Sequence, residues 1–390
     1  MKRLLLILLT LAGLTGAKAD LTTTGYYRIR NVYTQRYVTV ADDECTYVDF
    51  VAGKIDGHSL VTEKDYSIIC HDPASIIYID KISGSKYEVA AQGVKMRNMM
   101  KYDFHLLENG KYEGQKTYRL YGVEKGVTKY LADKGPTSRQ TMTVTFGNPM
   151  GGATSNSQLI CNWMILPVDA SSADNYFGVL PTVEAGGAEW ASLYASFPYS
   201  AYSEGVEFYY PCSVAYTGIC EMKKIEGVVP AGVPVIVKCK SSEPAGNRLN
   251  IGGTAGKAPS DNKMRGQYFN CYMNNGEFVN RLAYNPDTMR VLGRCSDGSI
   301  GFVTDESLDF IPANSTYIVV EPWYPKEIKF VFSHEEYDAG VGEIKVDPVK
   351  EKTDVYNFAG VRILRNATEE EIKLLPKGLY IIGGEKRVIK

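Results

Sequence analysis

Side chains able to do chemistry are thinly spread along this chain. The four histidines, His58, His71, His105 and His334, form no H-E-x-x-H pair and no cluster at metal-ligand spacing. His71 and Asp72 are neighbours, and on a strand neighbours face opposite sides. His105 lies in an apolar run and reads as a satisfied, half-buried side chain. No G-x-S-x-G elbow, P-loop or dinucleotide-binding glycine loop is present. Two acidic groups, Asp42-Asp43-Glu44 and Glu335-Glu336 with Asp338, hold the carboxylates that glycoside hydrolysis or calcium binding would need. Short acidic runs of this kind are ordinarily solvated loops, and the EF-hand spacing is absent, so neither a catalytic residue, a metal nor a cofactor is expected. The eight cysteines show no CxxC and no zinc spacing. Cys212 and Cys220, flanking a hairpin-like loop, are the best candidate disulfide, although the pairing stays open and several thiols read as buried and free.

Residues 1–19 read as a signal peptide. Lys2 and Arg3 precede the apolar run Leu4 to Leu14, and Ala17-Lys18-Ala19 is a small-x-small cleavage site. Removing Lys2, Arg3 and Lys18 takes the formal net charge from −2 to −5, and nothing in that balance points to a nucleic-acid partner, which would ask for a basic patch. Export places the protein at the cell surface or outside the cell, with the periplasm as the alternative.

A phrase starting at Gly25-Tyr26-Tyr27-Arg28-Ile29-Arg30-Asn31-Val32 returns around Tyr78 to Val89 and again around Tyr118 to Leu131. Aligning Ile29, Ile79 and Leu120 brings Val32, Ile82 and Val123 into register, and these six are the expected repeat core. Tyr37, Tyr87 and Tyr130, each preceded by a basic residue, are expected to start the second strand of each unit with half-buried rings. Short strand-like runs, among them Tyr66 to Ile69, fill the rest of each unit. Three units of roughly 40–50 residues, none able to bury its apolar face alone, predict an all-β domain over residues 20–168 with the organisation of a β-trefoil.

The phrase Gly25 to Val32 with Arg36-Tyr37-Val38 resembles the opening of ricin-type β-trefoil domains in exported proteins of the Bacteroidota. Asn162-Trp163-Met164-Ile165 looks like the degenerate end of a lectin unit, whose Gln-x-Trp signature is not intact here because Gln158 stands five residues before Trp163. The resemblance implies shallow sugar sites in which an acidic or amide side chain accepts hydroxyls and an aromatic ring stacks on the sugar. Asp42, Asp43 and Tyr47 in the first unit, and Asp133 and Asn162 in the third, are the candidate ligand-binding residues, with turn residues as the plainer reading.

Asp169 to Asn175 reads as a small polar linker. Residues 176–322 read as a second β-rich, sandwich-like domain, in which Val229-Pro230-Ala231-Gly232 and Ile311-Pro312-Ala313-Asn314 are a repeated phrase leading into strands. Residues 346–390 form a small β-module, with Thr368-x-x-Glu371 as a capping box and a terminal hairpin around Gly383-Gly384. That module resembles the C-terminal sorting domain of the type IX (Por) secretion system, through Val355-Tyr356-Asn357 and Leu375 to Ile382 with Arg387 to Lys390, which implies secretion machinery as a partner. Together these features predict a non-catalytic exported binding protein for a glycan or surface polysaccharide. The alternatives are a structural or adhesive surface protein that binds protein partners, and a glycoside or peptide hydrolase in the middle domain.

Overall fold

The computed structural model describes residues 24–41, 54–55, 58–95, 104–124, 126–135, 139, 141–144, 160–269, 271–274, 277–280, 282–342, 353–357, 360–383 and 385–389. Residues 1–19 and the candidates Asp42, Asp43 and Tyr47 lie outside these. The chain is all-β, as expected, and no helix among the described residues is long and apolar enough to cross a membrane.

The first region is a 12-stranded sheet. Its strands are β1 (Gly25–Asn31), β2 (Tyr37–Val40), β3 (Lys54–Ile55), β4 (His58–Glu63), β5 (Ile77–Ser83) and β6 (Lys86–Ala91), followed by β7 (Val94–Lys95), β8 (Phe104–Tyr112), β9 (Gln115–Glu124), β10 (Val127–Asp133), β11 (Thr141–Val144) and β12 (Trp163–Pro167). Antiparallel pairing runs β1–β5–β6–β8–β9–β12 and returns from β12 to β1, so six strands close a ring. Closure leaves those strands no free edge. The alternation in Gly25 to Ile29 explains the inside: Tyr27 and Ile29 enter the barrel core while Tyr26 and Arg28 face out.

Ile29, Ile79 and Leu120 do meet in that core. Val32 is buried just beyond the end of β1, but Ile82 and Val123 are exposed, at 50% and 41%. Their offset of three residues from Ile79 and Leu120 is odd, and an odd step along a strand reverses the face. Tyr37 and Tyr87 are fully buried rather than half-buried, and Tyr130 sits inside β10 rather than at its start. Tyr66–Ile69 is helical, not a strand, because Asp65 caps it by accepting from Ser67 N–H. A second helical turn, Pro73–Ser75, follows in the same way behind Asp72 and a proline.

Residues 169–175 are a packed turn rather than an open linker. Asp169 and Asn175 close it, and Arg248 donates to the carbonyls of Ala170 and Ser172. The two regions flanking this turn belong to one compact unit that ends at Phe332, with a second unit from Ser333.

The strands after the turn are β13 (Phe177–Gly178), β14 (Val183–Ala185), β15 (Ala188–Leu193), β16 (Tyr199–Ala201), β17 (Glu207–Ala215), β18 (Ile219–Ile225), β19 (Val235–Cys239) and β20 (Arg248–Ile251), then β21 (Met264–Gln267), β22 (Cys271–Asn274), β23 (Glu277–Asn280), β24 (Met289–Arg294), β25 (Ile300–Val303), β26 (Ser315–Val319) and β27 (Glu327–Val331). β22 and β23 form a separate hairpin, and β13–β20–β16 form a small sheet. The remaining ten order as β14–β15–β19–β17–β18–β27–β25–β24–β26–β21. Val235, Ile236 and Val237 of β19 form an apolar run because both faces of the strand are covered there. Val235 and Val237 pack with Phe177, Tyr199 and Leu249 of the small sheet. Ile236 points into a second core with Trp190, Phe302 and Ile318, so the large sheet curls and its two ends share one interior.

The repeated phrase proves to be a pair of turns on one target. Gly232 and Asn314 both have positive φ (72° and 54°), and both bind the segment Tyr194-Ala195, through Gly232 N–H to Ala195 O and Tyr194 N–H to Asn314 O. Tyr199 sits badly in the core it shares with Val235 and Val237. Its hydroxyl is buried with no hydrogen-bond partner, and an unpaired buried hydroxyl costs about 1–3 kcal/mol. Tyr199→Phe is therefore expected to raise the unfolding free energy by about 1 kcal/mol in urea titration; a loss of stability would show that the hydroxyl has a partner.

Cys212 and Cys220 are both free and buried. They lie within the paired strands β17 and β18, and a bulge at Pro211–Ser213 takes Cys212 out of the pairing, leaving Val214 opposite Cys220. Burial, first of all, pushes the Cys212 thiol up to about 11, and that of Cys220 up as well.

In the second unit, β28 (Thr353–Asn357), β29 (Arg362–Ala367), β30 (Gly378–Ile382) and β31 (Glu385–Ile389) form a sheet ordered β29–β28–β30–β31. The expected capping box is present: Thr368 accepts from Glu371 N–H, and the Glu371 carboxylate accepts from Thr368 N–H. The short helix it starts lays Ile372 on Val355, Tyr380 and Ile382. Glu335, Glu336 and Asp338 lie on a separate exposed helix, His334–Gly342.

Candidate binding cleft on the barrel wall

The outward residues of β1, β5 and β6 build a cleft where the barrel wall meets the second region. Antiparallel pairing sets Tyr26 directly opposite Tyr78. Tyr78 in turn opposes Ala90, and Asp80 opposes Glu88 one step along. Because Ile77, Ile79, Tyr87 and Val89 all point into the barrel, their neighbours Tyr78 and Glu88 must point out.

The two tyrosine rings are 5.2 Å apart and tilted by 49°, and Tyr26 leans edge-on against Phe197 at 6.1 Å. With Glu88, Ala90, Gly93 and Ser196 they line a cleft of about 270 Å³. Burial pushes both phenols above their ordinary value, helped by each other at Tyr26 and by Asp80 and Glu88 at Tyr78, so both stay protonated donors at neutral pH. Neither hydroxyl has a hydrogen-bond partner among the described residues. Apolar ring faces, two phenols able to donate and a carboxylate able to accept are the groups that hold a polyhydroxylated ring. Compared with protein-family models, curated proteins and solved structures, the chain matches none of them.

Asp133 and Asn162, the two sequence candidates among the described residues, lie elsewhere. Asp133 is fully buried at one end of the barrel, where its carboxylate accepts from Thr34 at 2.5 Å, Thr62 at 3.3 Å and the Gly135 N–H at 3.1 Å. Asn162 is 8% exposed, and its side-chain oxygen accepts from Asn109 at 2.7 Å and Arg119 at 3.4 Å. Asp133 thus ties the third unit to the first, while the Asn162 side chain is held by β8 and β9. His105 is half-buried, stacked on Tyr121 at 4.9 Å with its ring nitrogen 3.1 Å from Ser85 Oγ, as its apolar run suggested.

Tyr26, Tyr78 and Glu88 escaped sequence reasoning. Period-two alternation marks each as outward-facing, but only the β1–β5 register brings the two tyrosines together across 52 residues of chain.

Proposed function

We propose that this is an exported, non-catalytic carbohydrate-binding protein, and that the cleft between Tyr26, Tyr78 and Glu88 holds the glycan. The observation that carries the reading is the pair of protonated tyrosines, unpartnered at their hydroxyls, facing a carboxylate in a space the size of one or two sugar rings. We assign the barrel β-trefoil organisation. Support comes from the closed ring and from the hairpins β1–β2, β5–β6 and β9–β10, whose second strands continue to β4, β8 and β11. The first unit departs from the pattern: helical turns occupy residues 66–75 where a fourth strand would run.

A glycan array probed with the mature chain tests the reading. Tyr78→Ala is expected to weaken the best hit about tenfold, which corresponds to about 1.4 kcal/mol. It should leave the melting temperature nearly unchanged, since Tyr78 is only half-buried. An array with no hit would favour the structural or adhesive alternative.

The second unit we take as a sorting signal for the secretion machinery, on the strength of its motifs and its separate core. Removing residues 346–390 is expected to leave the protein in the periplasmic fraction. Unchanged surface recovery would make the unit a structural appendage only.

A further inference from the structure

A second cleft opens at the mouth of the curled sheet, about 290 Å³ in volume and lined by Trp190, Tyr209, Lys238, Ser299, Phe330 and Phe332. Its position follows from register. Trp190, Lys238 and Glu207 stand directly opposite one another across β15, β19 and β17, on the face that also carries Ile236 and Tyr209. That face forms the interior of the curled sheet, so the Trp190–Lys238–Glu207 row is where the interior reaches its rim. The open end of a curled or closed sheet is a common place for a ligand.

The rim is aromatic on one side and charged on the other. Phe332 lies nearly parallel to Trp190, with centroids 6.0 Å apart, and Tyr209 meets Phe332 edge-on at 5.1 Å. The Trp190 indole N–H is already spent on the Ala185 carbonyl, so the indole offers only its ring. Glu207 is also spent. Its two oxygens take Lys224 Nζ and the Tyr209 hydroxyl, each at 2.9 Å. The Lys224 bond comes first in holding its carboxyl below the usual range, and Tyr209 adds to it. Lys238 is different. It reaches Glu207 only at 3.9 Å, beyond hydrogen-bond distance, and its ammonium sits 6.0 Å from the Trp190 ring centroid. No hydrogen-bond partner for that ammonium exists among the described residues.

We infer that this cleft binds a carboxylated sugar ring, a uronic-acid residue of a polysaccharide. The pyranose face lies against the aromatic side, and its carboxylate takes the unspent ammonium of Lys238. A neutral sugar would leave that ammonium with only its long ion pair to Glu207 and no hydrogen-bonded anion. The choice of a sugar rests on the reading of the barrel cleft as a glycan site, but the two clefts share no residue.

Trp190 supplies a direct readout. Of the three tryptophans, Trp163 is buried in the barrel core and Trp323 is exposed elsewhere, so the full chain carrying Trp323→Phe reports mainly on Trp163 and Trp190. Titration with an oligomer of galacturonic acid is expected to change its tryptophan emission saturably, whereas the matching galactose oligomer and sodium benzoate should change it at least tenfold less effectively. Lys238→Met, which keeps the apolar stem of a half-exposed side chain, should weaken the acidic oligomer at least tenfold with an unchanged melting temperature, and Lys238→Arg should retain most of the binding. Tyr78→Ala should leave this response intact, which separates failure of the barrel cleft from failure of this one. Absence of any emission change, equal response to the neutral oligomer or to benzoate, or indifference to Lys238→Met would each overturn the assignment.

Discussion

Replacing Arg28 by methionine is expected to lower the unfolding free energy by about 3–5 kcal/mol, the range seen when a buried charge network loses one member. Arg28 is wholly buried although it points away from the barrel core. Its Nε donates to Ser75 Oγ at 3.1 Å. Nη1 donates to the Tyr176 carbonyl at 2.7 Å and Asn175 Oδ1 at 3.3 Å, and Nη2 to the Ile69 carbonyl at 2.9 Å. One guanidinium thus ties β1 to both helical turns and to the start of the second region. Burial pulls its pKa down, while Tyr66, Tyr37 and Asp72 act the other way. Methionine fills the space but takes the donor from Asn175 Oδ1 and one bond each from Ser75 Oγ and the Ile69 and Tyr176 carbonyls, which keep weaker or single bonds to Ser75, Asp72 and Tyr66; a buried group left unpaired costs about 1–3 kcal/mol. It also removes a positive charge that favours ionised Asp72, whose carboxyl is pushed up by burial against the bonds from Thr39 and Ala74. Arg28→Lys should recover little, because a single ammonium cannot span four acceptors placed for a planar fork. Urea unfolding followed by circular dichroism measures the loss. A change below about 1 kcal/mol would mean that the acceptors find other partners.

Phe269→Ala is the second large effect, also about 3–5 kcal/mol, as for deletion of a buried phenyl ring. Phe269 follows β21 of the second region, yet its side chain belongs to the barrel core, beside residues such as Leu106 and Trp163. The neighbouring Tyr268 stacks on Tyr194 at 4.4 Å. Two glycines make room for these rings. A Cβ on Gly266 would stand 2.3 Å from Tyr194 Cγ, and one on Gly93 would stand 2.7 Å from Tyr268 Cε2. Gln92 and Asn314, from the two regions, exchange side-chain amide bonds of 2.7 and 3.0 Å beside them. Phe269→Ala should therefore loosen the junction as well as the core, and the urea transition is expected to split in two. Gly266→Ala should reproduce the split, because the tyrosine ring has no flexible end with which to yield. A single sharp transition in both variants would show that the barrel and the second region do not depend on this contact.

Local physics was legible in the sequence. Alternation in Gly25 to Ile29 and in Ile77 to Ile79 fixed which side chains enter the barrel. Thr368 with Glu371 marked a capping box, and β30 and β31 pair as the terminal hairpin that was expected. The two Pro-Ala phrases announced turns into strands, because proline and a left-handed residue act within a few positions of themselves. An all-β chain followed from these signals alone.

What covers the outside of the barrel did not. Period two says that Tyr26, Arg28 and Tyr78 face outward, but it cannot say that Arg28 is sealed under residues 69–75 and 175–176 while Tyr26 and Tyr78 line a cleft. Asp133 and Asn162 looked available because their partners Thr34, Thr62, Asn109 and Arg119 are distant in the chain. Cys212 looked ready to pair with Cys220, but the β17–β18 register sets Val214 opposite Cys220. The face of each strand residue is set by its neighbours in sequence; whether that face is sealed, spent or open to a ligand is set by strands dozens of residues away, and only the closed ring and the docked second region decide it.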